Sequence, residues 1–488
     1  MNRLFRFARR ALLVTALALF SLPVPALALP DAFRAALRQA GIPPERVAVV
    51  IQQVDAAAPL LAHNADSALN PASVMKLVTS FVALEQLGPA YTWTTELWAD
   101  GRIGDGRLQG NLVIKGKGDP TLTLERLWLM QRELRSRGIR DIDGDLVLDI
   151  QHFNLPPHDP AAFDNEPLAL YNAAPGALVA NFNATTLRLV PDSSEVAVAP
   201  EFPLPGIALI SQLELAAGDC DNWRGGLTPR IAASEPYTLV VEGRYPQSCG
   251  EKTLTLNLLD AAASFDHSFR ALWTEAGGSL SGSTVLGTAP ADTLPLISFP
   301  SAPLADALRS LNKYSNNLMT RNLFLTLGAE AYGAPATAEK GDQAIRAAFS
   351  RHAIPTHKLV LENGSGLSRI ERISADALNQ LLLAAYRSPY FSEFESALPI
   401  VALDGTLKRR FRDSPLNGRA HLKTGTLRDV SALAGYLIDH GGRRVSFVML
   451  INHPNAARAE AAQRALLEWA QSQPVRARER SRRRGGRE

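Results

Sequence analysis

The sequence predicts an α/β (or α+β) protein, a sheet flanked by helices whose chain is interrupted by a large β-rich insertion. Three features of its 488 residues carry that reading. A helix–strands–helix pattern opens the chain, and short β runs separated by Gly, Asp and Pro turns follow. Helices, three further strands and a last helix then close it. The middle stretch, 92–295, spans roughly 200 residues and is too long for a loop.

Taken in order, residues 29–40 have helical spacing and stop at Gly41. Residues 46–54 (RVAVVIQQV) are β-rich, and 59–62 supply a hairpin partner. Pro71 introduces a helical pattern over 73–87, ended by Gly88. Within 92–295 the β runs fall at 108–115, 145–150, 186–190, 207–215, 238–243 and 253–259. They suit one or two subdomains, with Cys220 and Cys249 in the later one. Helical patterns return at 304–327, 338–352 and 374–386. Strands are expected at 418–423, 433–439 and 444–452, the last two joined by a His440-Gly-Gly hairpin signal, before a helix over 456–471. The expected body is thus a domain in two parts, 29–91 and 296–474, around the insertion.

The ends differ from the body. Arg3, Arg6, Arg9 and Arg10 precede an apolar run over 11–20, then Pro23, Pro25 and the small residues of Ala26-Leu27-Ala28. That order reads as a secretion signal, 1–28, cleaved near Ala28. The prolines interrupt a run already too short for a membrane span. Residues 475–488 carry seven Arg and two Glu and read as a disordered basic tail. A solvated tail and attachment to anionic envelope polymers are the two readings of it. With both ends set aside, the net charge of +3 becomes −6 for the body, which argues against a nucleic-acid-binding fold. Export would place Cys220 and Cys249 in an oxidising compartment, where the expectation is a disulfide.

Other chemistries are poorly served. H-E-x-x-H and C-x-x-C are absent and the nine His are scattered, so no metal site is expected. Gly116-Lys-Gly-Asp-Pro120 lacks the G-K-[ST] of a phosphate loop. Asn363-Gly-Ser365-Gly lacks the first glycine of a hydrolase nucleophile elbow.

Three short motifs point instead to acyl transfer. In Ser73-Val-Met-Lys76 the lysine lies one helical turn from the serine, close enough to take its proton. In Ser315-Asn-Asn317 the serine could relay a proton and the asparagine hold an amide. Lys423-Thr424-Gly425, followed by Thr426, reads as a strand presenting a cation and a hydroxyl to a carboxylate. Gly425 there permits close backbone approach. Ser310-Leu-Asn-Lys313 repeats the first motif, and its Ser310 and Asn312 the second, so the first two signals are weak singly.

Their order in an exported chain is that of penicillin-binding proteins and serine β-lactamases. The chain resembles the class C low-molecular-mass penicillin-binding proteins, the D-alanyl-D-alanine carboxypeptidase/endopeptidase family (peptidase family S13). The likeness extends to Gly116-Lys-Gly-Asp-Pro-Thr121, Asn363-Gly-Ser-Gly-Leu-Ser-Arg369, Leu398-Pro-Ile-Val-Ala-Leu-Asp-Gly-Thr406 and Leu433-Ala-Gly-Tyr436, covering nearly all of 29–470. It implies a penicillin-binding-protein/serine β-lactamase-like domain in the periplasm, acting on peptidoglycan stem peptides without a cofactor, with β-lactams as covalent inhibitors. It makes Ser73 the nucleophile and Lys76 its base, with Asn317 orienting the substrate. Ser315 and Lys423 would pass a proton to the leaving D-Ala, and Lys423 with Thr424 would bind its carboxylate.

Two departures stand out. Asn363 replaces a usual Asp. In 163–183, where some members hold the amino end of diaminopimelate with an Asp and an aromatic ring, the aligned residues are Glu166 and Tyr171. The alternatives are a β-lactamase, disfavoured by the long insertion, and a non-catalytic peptidoglycan-binding scaffold, disfavoured by the intact motifs.

Overall fold

The computed structural model describes residues 28–204, 206–232 and 237–473. The expected basic tail and all but the last residue of the expected leader lie outside them. Five antiparallel strands form the sheet that positions the site. Their order is Ala420–Leu427, Val430–Ile438, Arg444–Asn452, Val47–Gln53, Leu61–His63. The first long strand therefore pairs with the last, Val47 opposite Ile451 and Gln53 opposite Val445.

Strand periodicity explains why the two central segments are mostly apolar on both faces. Val47, Val49, Ile51, Phe447, Met449 and Ile451 face one layer, built from helices Asp31–Ala40 and Glu460–Ser472 through Phe33, Leu37, Leu466 and Leu467. Ala48, Val50, Val448 and Leu450 face the other, built from helices Lys76–Leu87, Leu304–Lys313, Asn317–Tyr332 and Ala375–Arg387. Both sheet faces are covered, so alternation with polar residues is lost. Helix Lys76–Leu87 lies inside this second layer, buried from Lys76 through Leu84. Such a helix is apolar on every side, and the one cation it carries sits in the core.

The sequence expectation of a continuous helix over 304–327 gives way to two helices. The break falls at Tyr314-Ser315-Asn316, where Ser315 takes a left-handed φ of 57°. The Asn316 side chain then accepts from the Met319 amide and caps the second helix. Likewise, residues 72–75 form a 3-10 turn, so the α-helix proper starts at Lys76.

Between these parts the chain builds a seven-stranded sheet, running from Thr94–Gly104 to Ile297–Pro300. Helices Leu124–Ser136 and Ala261–Glu275, which the β pattern did not reveal, pack on it through Leu127, Met130, Phe265 and Phe269. Two three-stranded sheets carry residues 185–256. Cys220 and Cys249 are bonded there, beside Trp223 and Tyr245. Closing that loop stabilises by about 3 kcal/mol on the chain-entropy account. Among the described residues, no helix is long and apolar enough to cross a membrane.

Candidate active site

Three elements converge on one cavity of about 300 Å³, lined by Ser73, Ser315, Thr406, Arg410, Thr424 and Thr426. Ser73 comes from the 3-10 turn, Ser315 from the break between helices, and the threonines 424 and 426 from the edge strand. Gly425 explains how the strand reaches the turn. A Cβ there would stand 2.4 Å from the Pro71 carbonyl oxygen and 3.2 Å from Ala72 Cβ. Any side chain would push Ser73 away from the strand.

The polar network is continuous. Lys76 Nζ donates to Ser73 Oγ at 3.1 Å, Asn317 Oδ1 at 2.6 Å and the Ser365 carbonyl at 2.5 Å. Lys423 Nζ donates to Ser315 Oγ at 2.9 Å and to the Thr424 carbonyl at 2.8 Å. The Thr424 hydroxyl shares a 2.8 Å hydrogen bond with Thr406. Both lysines are fully buried. Burial holds Lys76 well below the ordinary lysine range, the Lys423 charge adds to this, Glu371 opposes it and Arg321 lowers it further. Burial alone brings Lys423 to about 7.

The edge strand is half covered. Val401 N donates to the Ala420 carbonyl and Leu422 N to the Pro399 carbonyl, so residues 399–401 occupy its first half. The Thr424–Leu427 half borders the cavity through Thr424 and Thr426.

Tyr171 and Glu166 are placed differently from each other. The Tyr171 carbonyl accepts from Asn317 Nδ2 at 3.1 Å, tying its loop to the site. Its phenol donates at 2.8 Å to Asp164, which also accepts from Asn172. Glu166 is exposed, and its backbone carbonyl accepts from Asn172. The acid in contact with Tyr171 is therefore Asp164, two residues before the one singled out in the sequence. In the repeated motif at Ser310 and Lys313 the lysine is engaged elsewhere: Lys313 Nζ donates to the Leu398 carbonyl and to Asp404.

Sequence reasoning also missed Arg410 and Thr406 of the lining, the Ser365 carbonyl and Glu371. A backbone acceptor leaves no residue-type signal, and Glu371 acts from outside all three motifs. Two of them had a signal all the same, Thr406 inside the 398–406 likeness and Ser365 inside the 363–369 likeness.

A family model described as D-Ala-D-Ala carboxypeptidase 3 (S13) matches residues 30–473. The chain belongs to this family. By that membership it is a serine-type D-Ala-D-Ala carboxypeptidase. A D-alanyl-D-alanine carboxypeptidase of Actinomadura sp. (strain R39) is 31% identical over 407 residues, 80% of this chain and 74% of that relative. Penicillin-binding protein 4 of Haemophilus influenzae is similar to this chain in fold, with a TM-score of 0.75 at 24% identity, covering 90% of this chain and 99% of that one. The same Haemophilus protein complexed with a β-lactam matches at 0.72 and 23% identity, over 91% and 100%.

Proposed function

We propose that the enzyme cleaves D-Ala from peptidoglycan stem peptides through an acyl-enzyme on Ser73, and cuts D-amino-acid cross-links by the same route. The observation that carries this is the pair of buried lysine amino groups, one on Ser73 Oγ and one on Ser315 Oγ, at the same cavity. Neutral Lys76 takes the Ser73 proton as Oγ attacks the carbonyl carbon. The amides of Ser73 and Thr426 hold the oxyanion, each contributing roughly 3 kcal/mol. Asn317 orients the acyl-side amide. As the C–N bond breaks, the proton taken up by Lys76 is passed on to the departing amine by way of Ser315 and Lys423, which leaves Lys76 neutral again. Water then hydrolyses the ester and returns the proton to Ser73.

Lys423 and Thr424 would bind the terminal carboxylate, with Thr426 and the free half of the edge strand pairing with the peptide backbone. Tyr171 and Glu166, or Asp164 in its place, would meet the far end of the stem peptide. β-Lactams enter the same chemistry, in keeping with the β-lactam held by the Haemophilus relative. The leader 1–28 would deliver the chain to the periplasm, and the basic tail 475–488 would touch anionic envelope polymers. The division into 29–91, 92–295 and 296–474 belongs to this reading, and the separate cores of the five- and seven-stranded sheets support it.

Purified enzyme incubated with uncross-linked and cross-linked muropeptides, with products identified by mass, tests the proposal. Loss of one D-Ala from pentapeptides and conversion of dimers to monomers are expected. Intact muropeptides with rapid multiple turnover of penicillin would point to a β-lactamase. Intact muropeptides and penicillin with folded protein would point to a scaffold.

A further inference from the structure

Lys76 depends on a loop that none of the three motifs contains. The Ser365 carbonyl accepts from its ammonium at 2.5 Å, and the Gly364 carbonyl accepts from Thr79 Oγ1 at 2.7 Å. Two successive carbonyls thus grip the first turn of helix Lys76–Leu87. The same loop packs on the nucleophile turn: a Cβ on Gly366, at φ +82°, would lie 1.8 Å from the Ala72 carbonyl oxygen.

What shapes this loop is a single carboxylate. Glu371 Oε1 accepts from the amides of Glu362, Asn363 and Gly364 at 3.1, 3.0 and 2.8 Å. Its Oε2 accepts from the Gly366 amide at 2.9 Å. The side chain is fully buried, and its own amide is held by Ser368 Oγ at 3.0 Å. Four donors aimed at two oxygens favour a charged acceptor; a Gln would set its NH₂ against one of them. The site is otherwise rich in buried cations. Lys423 from the edge strand and Arg321 from helix Asn317–Tyr332 both act on Lys76, and Glu371 is the acid that opposes them. Arg321 is itself buried with its Nε unpartnered, and feels Glu371 and Glu362.

We propose that Glu371 is a positioning residue for acyl transfer: its carboxylate builds the loop that holds Lys76 against Ser73 and supplies the buried negative charge that faces Lys76 and Arg321. This rests on the Ser73–Lys76 reading of the reaction. Two effects follow from removing the charge. Lys76 loses its carbonyl anchor, which slows acylation at every pH. It also loses the opposing charge, so its proton comes off more easily and the acid limb of acylation moves to lower pH.

The test is the rate of labelling by a fluorescent penicillin across pH, for wild type and Glu371→Gln. The expected result is a drop of about 10²-fold at the optimum, the scale of a misplaced catalytic group, together with an acid limb displaced to lower pH. A purely structural role would lower the rate with the limb unmoved, and that outcome overturns the proposal. So does an unchanged rate. Should Glu371→Gln not fold, Glu371→Asp is read in its place, since it keeps the charge but draws it back by one methylene. A slower rate with a smaller displacement in the same direction supports the proposal, and an unmoved limb overturns it. Wild type that fails to label at any pH would sink the Ser73 reading itself, an outcome distinct from a wild type that labels beside a variant with an unmoved limb.

Discussion

Replacing Lys76 by alanine is expected to slow acylation of Ser73 by roughly 10²- to 10⁴-fold, the range a general base contributes. Stability should respond quite differently. The amino group lies buried at the start of helix Lys76–Leu87, and its proton is disfavoured by burial and by Lys423 and Arg321. Removing a buried polar group relieves its desolvation cost, while the loss of its hydrogen bonds to Asn317 and Ser365 works the other way. The melting temperature should therefore move little while labelling collapses. Labelling kinetics and a thermal melt on the same sample read both effects. A variant that labels at close to the wild-type rate would remove Lys76 from the mechanism. This is a site where activity and stability pull apart, because a charge is kept in a place that folding alone would fill with Leu.

The second large effect concerns Lys423. With its pKa brought to about 7 by burial, it is charged below that pH and neutral above it in the free enzyme. Its charge is what a substrate carboxylate needs, whereas Lys76 must be neutral to act as base. The value of kcat/KM for a peptide ending in D-Ala-D-Ala should thus rise from the acid side and fall again as pH passes through about 7, a narrow bell. Lys423→Met should lower kcat/KM by about 10²- to 10³-fold, the worth of one buried charge-assisted contact, and erase the alkaline limb. Release of D-Ala measured from acid to alkaline pH checks both features. An alkaline limb that survives in Lys423→Met would assign it to another group. Stability carries the matching sign. A lysine whose folded pKa is depressed makes the protein more stable as pH climbs from about 7 toward the unfolded value.

The sheet was legible because its strands are long, apolar and terminal in the chain. Val47–Gln53 and Arg444–Asn452 are buried on both faces, so each reads as a mostly apolar run rather than an alternating one. Ser73 and Lys76 were legible as a pair because one turn of helix fixes their distance whatever lies around them. The inserted region hid two helices, Leu124–Ser136 and Ala261–Glu275, since their apolar faces sit among many short β runs. The break at Ser315 was hidden for another reason. A left-handed φ is usually announced by Gly, and here a serine takes it, between an ended helix and the Asn316 cap. That break is what turns Ser315 toward Lys423 and lets Asn317 start a new helix beside Lys76. The contact of the Ser365 carbonyl with Lys76 joins residues almost 300 positions apart, brought together only by tertiary packing. No local pattern encodes it. The same holds for Asp164, which meets Tyr171 through the path of a loop rather than through a regular spacing.

All of this turns on one serine among several becoming nucleophilic. Trapping the enzyme with benzylpenicillin, digesting it and sequencing the adduct-bearing peptide by mass spectrometry addresses that directly. The account predicts a covalent adduct on Ser73, with none on Ser310, and no adduct in folded Ser73→Ala. An adduct mapped to any other residue, or one that persists in Ser73→Ala, would contradict it.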